Sequence, residues 1–136
     1  MFTIRKIFNA GTNIPETTSM PTAKDTAYMK DCLLVLKDGV LTNPASTEKP
    51  TYVAAESAGK NEKATLVCYP IFANMLFEAP MLGTPSTIKA GDKVTIVEND
   101  DYFVDKVGSD KNNGVATVVD MNGATANGDK VYVRFD

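Results

Sequence analysis

"LLVLKDGVLT", residues 33–42, decides how the rest of the chain is read. An apolar run from Leu33 to Leu36 meets Lys37 and the pair Asp38-Gly39, and alternation then resumes through Val40, Leu41 and Thr42. Asp-Gly between two apolar stretches signals a tight hairpin, because glycine adopts positive φ freely and aspartate tolerates it better than most residues. The stretch predicts two short antiparallel strands. The first of them begins in "MKDCLLVL" (29–36) and reads apolar on both faces near its end.

The same grammar runs outward in both directions. Upstream, "TIRKIF" (3–8) places Ile4 and Lys6 on one face and Arg5 and Ile7 on the other. Downstream come "TYVAAES" (51–57) and "KATLVCYPIF" (63–72), where Thr65, Val67, Tyr69 and Ile71 oppose Leu66 and Cys68. "NMLFEAPML" (74–82) is apolar and β-compatible. "DKVTIVEN" (92–99) sets Val94 and Ile96 on one side, "YFVDKV" (102–107) follows, and "VATVVDM" (115–121) aligns Val115, Thr117 and Val119. "KVYVRF" (130–135) points Val131, Val133 and Phe135 one way and Lys130, Tyr132 and Arg134 the other. Such alternation means that one face packs while the other meets solvent.

Short strands at regular spacing, separated by turn signals, predict an all-β fold, a small antiparallel β-barrel or β-sandwich. "NAGTNIPETTSMPTAKDT" (9–26) has no helical period of apolar residues, and its prolines favour an extended course. The expected organisation is an N-terminal strand and extended arm over 1–26, followed by one β-barrel or β-sandwich domain over 27–136.

Composition narrows the function classes. At 136 residues, 43% hydrophobic and 23% charged, the chain has the balance of one globular domain. Its 14 basic and 17 acidic residues are interspersed, for a formal net charge of −3, and no basic stripe offers itself to nucleic acid. No apolar run has the length of a membrane-spanning helix. The N-terminal "MFTIRKIFNAG" lacks the apolar core of a secretory signal, so cytosolic synthesis is expected.

The chain has no histidine, which removes Ser-His-Asp triads, Cys-His pairs and nearly all zinc sites. Cys32 and Cys68 lie inside apolar strand-like runs, as buried inert thiols do. A disulfide between them is possible if their strands pair, although a cytosolic origin argues against it.

Carboxylates are the remaining chemistry. "ENDDYFVD" gathers Glu98, Asp100, Asp101 and Asp105, but not at calcium-loop spacing, and it reads as a solvated corner. "DMNGATANGD" (120–129) starts like a calcium loop at Asp120 and Asn122 and then breaks the ligand rhythm, so a hairpin loop is expected. No glycine-rich phosphate cradle lies between a strand and a helix, and the chain has no tryptophan on which to stack a sugar. No catalytic residue, metal site or cofactor is assigned, and the expectation is that the chain is not an enzyme.

Surface apolarity is what is left. "PIFANMLFEAPML" concentrates Ile71, Phe72, Met75, Leu76, Phe77, Met81 and Leu82, more than one strand face hides. It is either a strand buried on both faces or, in part, a subunit contact. The N-terminal strand raises the same alternative, since a terminal strand ahead of a long loop can pair with a neighbour's sheet edge.

The order "AYMKDCLLVLKDGVLTNP", "KPTYVAAES", "ATLVCYPIFANMLFEAP", "IKAGDKVTIVEND" and "GVATVVDMNGATANGDKVYVRF" resembles the head decoration (capsid cement or auxiliary capsid) proteins of tailed bacteriophages. The resemblance covers about residues 27 to 135 and consists of hairpin punctuation and apolar spacing. It implies a structural virion protein, made in the bacterial cytoplasm, that stabilises the outer capsid surface. Its partners would be the major capsid protein and further copies of itself in a trimer or other cyclic assembly, with no role for nucleic acid or membrane. The expected capsid or subunit interface is Phe2, Ile4, Ile7 and Phe8 in the arm with Phe72, Met75, Leu76 and Phe77. On that reading, deleting residues 1–26 leaves a folded domain that no longer co-sediments with capsids. The competing reading is a carbohydrate- or receptor-binding β module using Tyr102, Asp100 and Asp101.

Overall fold

The computed structural model describes residues 2–7, 16–83, 85–98, 104–107 and 114–135. Its strands are β1 (Thr3–Ile7), β2 (Thr18–Pro21), β3 (Leu33–Lys37), β4 (Val40–Thr42), β5 (Tyr52–Ala54), β6 (Thr65–Pro70), β7 (Met75–Pro80), β8 (Lys93–Val94), β9 (Ile96–Glu98), β10 (Val104–Val107), β11 (Ala116–Asp120) and β12 (Lys130–Phe135). A 3₁₀ turn at Pro85–Thr87 lies between β7 and β8, and the described residues contain no α-helix.

Two five-stranded antiparallel sheets form the body. The first has the order β1-β7-β12-β11-β8 and the second β2-β6-β5-β3-β4, with β9 and β10 as a separate ribbon. Neither sheet closes, so of the two architectures expected from the sequence the sandwich-like one is found. A single parallel bridge from Thr22 to Leu41 brings the end of β2 beside β4.

The alternation of β12 is realised as read. Val131, Val133 and Phe135 have 0% exposure and face the main core, while Lys130 and Arg134 are exposed. Opposite Val133 lie Phe77 on β7 and Val118 on β11, and Phe135 packs its ring 5.4 Å from Phe77 and 5.6 Å from Phe2. Ile96 and Val107 from the ribbon join the same cluster. On β11 the buried residues are Ala116 and Val118, so Thr117 and Val119 lie on the outer face, while Val115, just before the strand, packs partly on the main core.

β3 is apolar on both faces because two cores meet on it. Leu33 and its cross-strand partner Val53 belong to the main core, whereas Leu34, Leu41, Ala54, Leu66 and Cys68 build a second core on the other side. Tyr28 caps the second core. Its hydroxyl accepts from the Ala23 N–H at 2.8 Å and donates to the Leu41 carbonyl at 2.8 Å, so its buried polar end is satisfied.

The hairpin that opened the reading is present, with Asp38 at φ 50° and Gly39 at φ 81° between the paired Lys37 and Val40. Gly114 matters for a different reason. A Cβ there would lie 2.6 Å from the Val94 backbone nitrogen, so only glycine lets the chain pass so close to β8.

Two readings of local structure are corrected. Within 1–26, of which residues 8–15 lie outside the described residues, β1 pairs with β7 and the expected loop contains a strand, β2, paired with β6. β2 was hidden by its composition, since Thr-Ser-Met-Pro reads as loop, yet proline is tolerated on a sheet edge. "DKVTIVEN" is two strands, split at Thr95, with β8 joining the first sheet and β9 pairing with β10.

Cys32 and Cys68 are both free and buried. Ala54 separates them: its N–H donates to the Cys32 carbonyl, and its ladder partner is Cys68. Two inter-strand steps put their Cα atoms roughly 10 Å apart, beyond the reach of a disulfide. Burial pushes both thiols up to about 11, so neither is a thiolate at neutral pH.

Candidate functional site

The crossover from β6 to β7 carries the chain from the second sheet to the first. Around it, the Ile71 N–H donates to the Thr51 carbonyl at 2.9 Å and the Phe72 N–H donates to Met75 Sδ at 3.2 Å. Ile71 packs on the main core and Met75 is buried within it. The turn is therefore held on both sides while Phe72 is 61% exposed, more than any other large hydrophobic among the described residues. A phenylalanine displayed on a fixed turn is the type of residue that anchors contacts.

The other expected interface residues fall in different places. Met75 and Phe77 point into the core, as does Phe2, so their apolar surface is consumed within the chain itself. This corrects the expectation that they face a partner. Ile4 is partly buried against the same core, and Leu76 is half-buried. Ile7 opposes Met75 in the ladder, and Phe8 lies outside the described residues. Tyr102, Asp100, Asp101 and most of the acidic corner also lie outside them.

A feature missed in the sequence fastens β1. Arg5 meets Glu78 through two hydrogen bonds, Nε to Oε2 at 3.2 Å and Nη2 to Oε1 at 2.8 Å, and Lys130 approaches Oε1 at 3.5 Å. Glu78 is only 8% exposed, so its charge needs these partners. A bulge between Ile4 and Lys6 shifts the β1 register next to the clamp.

The Arg5 hydrogen bonds hold the Glu78 carboxyl below its ordinary value of 4.5. A carboxyl depressed in the native state stabilises fully above its unfolded pKa, and that contribution is lost as pH falls through the lowered native value. Glu78→Gln is expected to be less stable than wild type near neutral pH, with the gap shrinking below about pH 4.5. Urea midpoints across that range test it, and a gap independent of pH would contradict it.

Two open clefts flank the second core. One of about 430 Å³ is lined by Tyr28, Met29, Ser57, Ala58, Gly59 and Glu62. The other, about 380 Å³, lies among Thr22, Ala23, Lys24, Asn61, Lys63 and Ala64. Their polar walls are engaged with near neighbours: Glu62 accepts from Gly59, Asn61 binds Asp25, and Lys63 pairs with Glu56 at 2.7 Å. These contacts brace the loops.

The 120–129 loop is a hairpin connection. Asp120 accepts from the Asn122 N–H, and Asp129 accepts from the Thr125 and Ala126 N–H groups. Among the described residues no group of three or more His, Cys, Asp or Glu side chains is placed to hold a metal ion, and no helix is long and apolar enough to cross a membrane.

An antiparallel, sandwich-like β body, with Phe72 exposed on the β6–β7 crossover, defines the class of this protein. No protein-family model matches the chain, and no curated protein sequence does. Among solved structures it is similar in fold to the N base of head fiber gp8.5 in bacteriophage phi29, with a TM-score of 0.53 and 18% sequence identity. The match covers 89% of this chain and 95% of that one.

Proposed function

We propose that this chain is a structural protein of a bacteriophage virion, and that it decorates and stabilises the outer capsid surface. The observation that supports this is the fold likeness over 89% of the chain to the base of a phage head fiber. The role is positional, not enzymatic. Its partners are the major capsid protein and further copies of the same chain in a cyclic assembly. Each contact can be weak, because repetition over a closed shell multiplies it.

Phe72 is the contact residue in this reading, on a turn already braced by Ile71 and Met75. Phe72→Ser is expected to leave unfolding stability within about 0.5 kcal/mol of wild type, because the ring is exposed. Particle binding should weaken by about 2 kcal/mol per copy, roughly thirtyfold. Co-sedimentation with particles measures the binding, and electron microscopy of particles made with and without the chain locates it. Virions that lack the chain altogether would end the proposal, whereas wild-type binding by Phe72→Ser would move the contact elsewhere.

A further inference from the structure

The connection from β11 to β12 holds two Asn-Gly pairs, Asn122-Gly123 and Asn127-Gly128. A third pair, Asn113-Gly114, begins at a residue outside the described ones. Asparagine is a thermolabile residue, and a glycine after it has no side chain to shield its own backbone nitrogen. Both pairs of the connection share that chemistry, so a difference between them comes from the fold.

Asn122 and Gly123 are the exposed central residues of a turn, at φ 52° and 71°. One backbone hydrogen bond closes it, from the Ala124 N–H to the Met121 carbonyl at 2.9 Å. The Asn122 N–H donates to Asp120 at 2.8 Å, while neither the Asn122 carboxamide nor the Gly123 N–H is engaged with another described residue. Both groups sit in water, restrained by an exposed contact of the kind that opens locally at little cost.

Asn127-Gly128 is held at both of the corresponding points. Asn127 Oδ1 accepts from the Gly83 N–H at 3.0 Å, and the Gly128 N–H donates to the Met81 carbonyl at 2.7 Å. The first bond ties the carboxamide to the segment after β7, and the second occupies the nitrogen that would attack it. Asp129 braces the same segment by accepting from the Thr125 and Ala126 N–H groups.

We propose that Asn122-Gly123 is a self-modification site, where the chain converts its own asparagine to aspartate and isoaspartate with water as co-reactant. When the turn opens, the Gly123 nitrogen gives its proton to solvent base and attacks Asn122 Cγ. The N–Cγ bond forms and the Cγ–Nδ2 bond breaks, which releases ammonia and leaves a cyclic imide. Water then opens the imide at either carbonyl. Cleavage at Cγ gives aspartate, and cleavage at the main-chain carbonyl gives isoaspartate, whose backbone is longer by a single carbon. Either product adds a negative charge beside Asp120 on a chain of net charge −3. The inference is independent of the capsid reading and of Phe72.

The test incubates the folded full-length protein in mildly alkaline buffer and follows the Asn122 and Asn127 peptides by mass spectrometry, with fragmentation that separates isoaspartate from aspartate. Asn122 is expected to convert roughly tenfold faster than Asn127, because the second pair must first break additional hydrogen bonds. In strong urea, where the fold no longer distinguishes the pairs, the two rates are expected to converge. Faster conversion at Asn127 than at Asn122, an unreacted Asn122 in the folded chain over a period that converts it in urea, or a rate ratio unchanged by unfolding would each overturn the inference.

Discussion

Deleting residues 1–26 is expected to abolish cooperative folding at ambient temperature, not to release a stable domain. The deletion removes β1, and with it the strand that covers one edge of β7. It removes Phe2, a fully buried ring packed on Phe135, and loss of such a side chain alone costs about 3–5 kcal/mol. It strips Glu78 of Arg5, leaving a carboxylate at 8% exposure with Lys130 as its remaining ion-pair partner. It also removes β2, whose Met20 packs on the second core and whose backbone pairs with β6. Together these losses approach the whole stability of an ordinary domain, about 5–15 kcal/mol. Circular dichroism and urea unfolding of the truncated chain measure this, and a wild-type midpoint would refute it. A capsid-binding assay on that truncation would therefore report unfolding, which is why the point variant Phe72→Ser is the better probe of attachment.

The second large effect is expected at Phe135. Its ring touches Phe2 and Phe77, joining the N-terminal strand to the middle of the first sheet. Phe135→Ala should cost about 3–5 kcal/mol, a shift in the folding equilibrium of roughly two to three and a half orders of magnitude. Lys130→Ala on the same strand is the control. Its side chain is 63% exposed, and its contact with Glu78 is the long one at 3.5 Å, so a loss of about 1 kcal/mol or less is expected. Equal effects at the two positions, measured by urea denaturation, would contradict the inward and outward alternation of β12.

That alternation is the part of the fold most legible in the amino-acid order. Val131, Val133 and Phe135 announce a half-buried strand because burial follows a period of two, and the Asp38-Gly39 turn announces its hairpin because φ above zero selects those residues. What stayed hidden was long-range pairing. Nothing near Thr3 says that its partner is Glu78, so a strand built into the first sheet reads as a free arm. The Arg5–Glu78 clamp was hidden for the same reason, as its two residues are 73 positions apart. The apolar run from Ile71 to Leu82 was visible as excess hydrophobicity, but composition could not divide it. The packing does, taking Met75 and Phe77 into the core and leaving Phe72 outside.

The crossover between β6 and β7 has a mechanical consequence. β6 lies between β2 and β5, and β7 lies between β1 and β12, so neither is an edge strand. Tension applied at Phe72 would enter both sheets through interior strands, where hydrogen bonds on either side must shear together. A tether on an outer strand would instead peel open bond by bond. On the proposed reading, a load taken up at that one aromatic ring would be shared by both sheets, and a small contact would act as a rupture-resistant rivet.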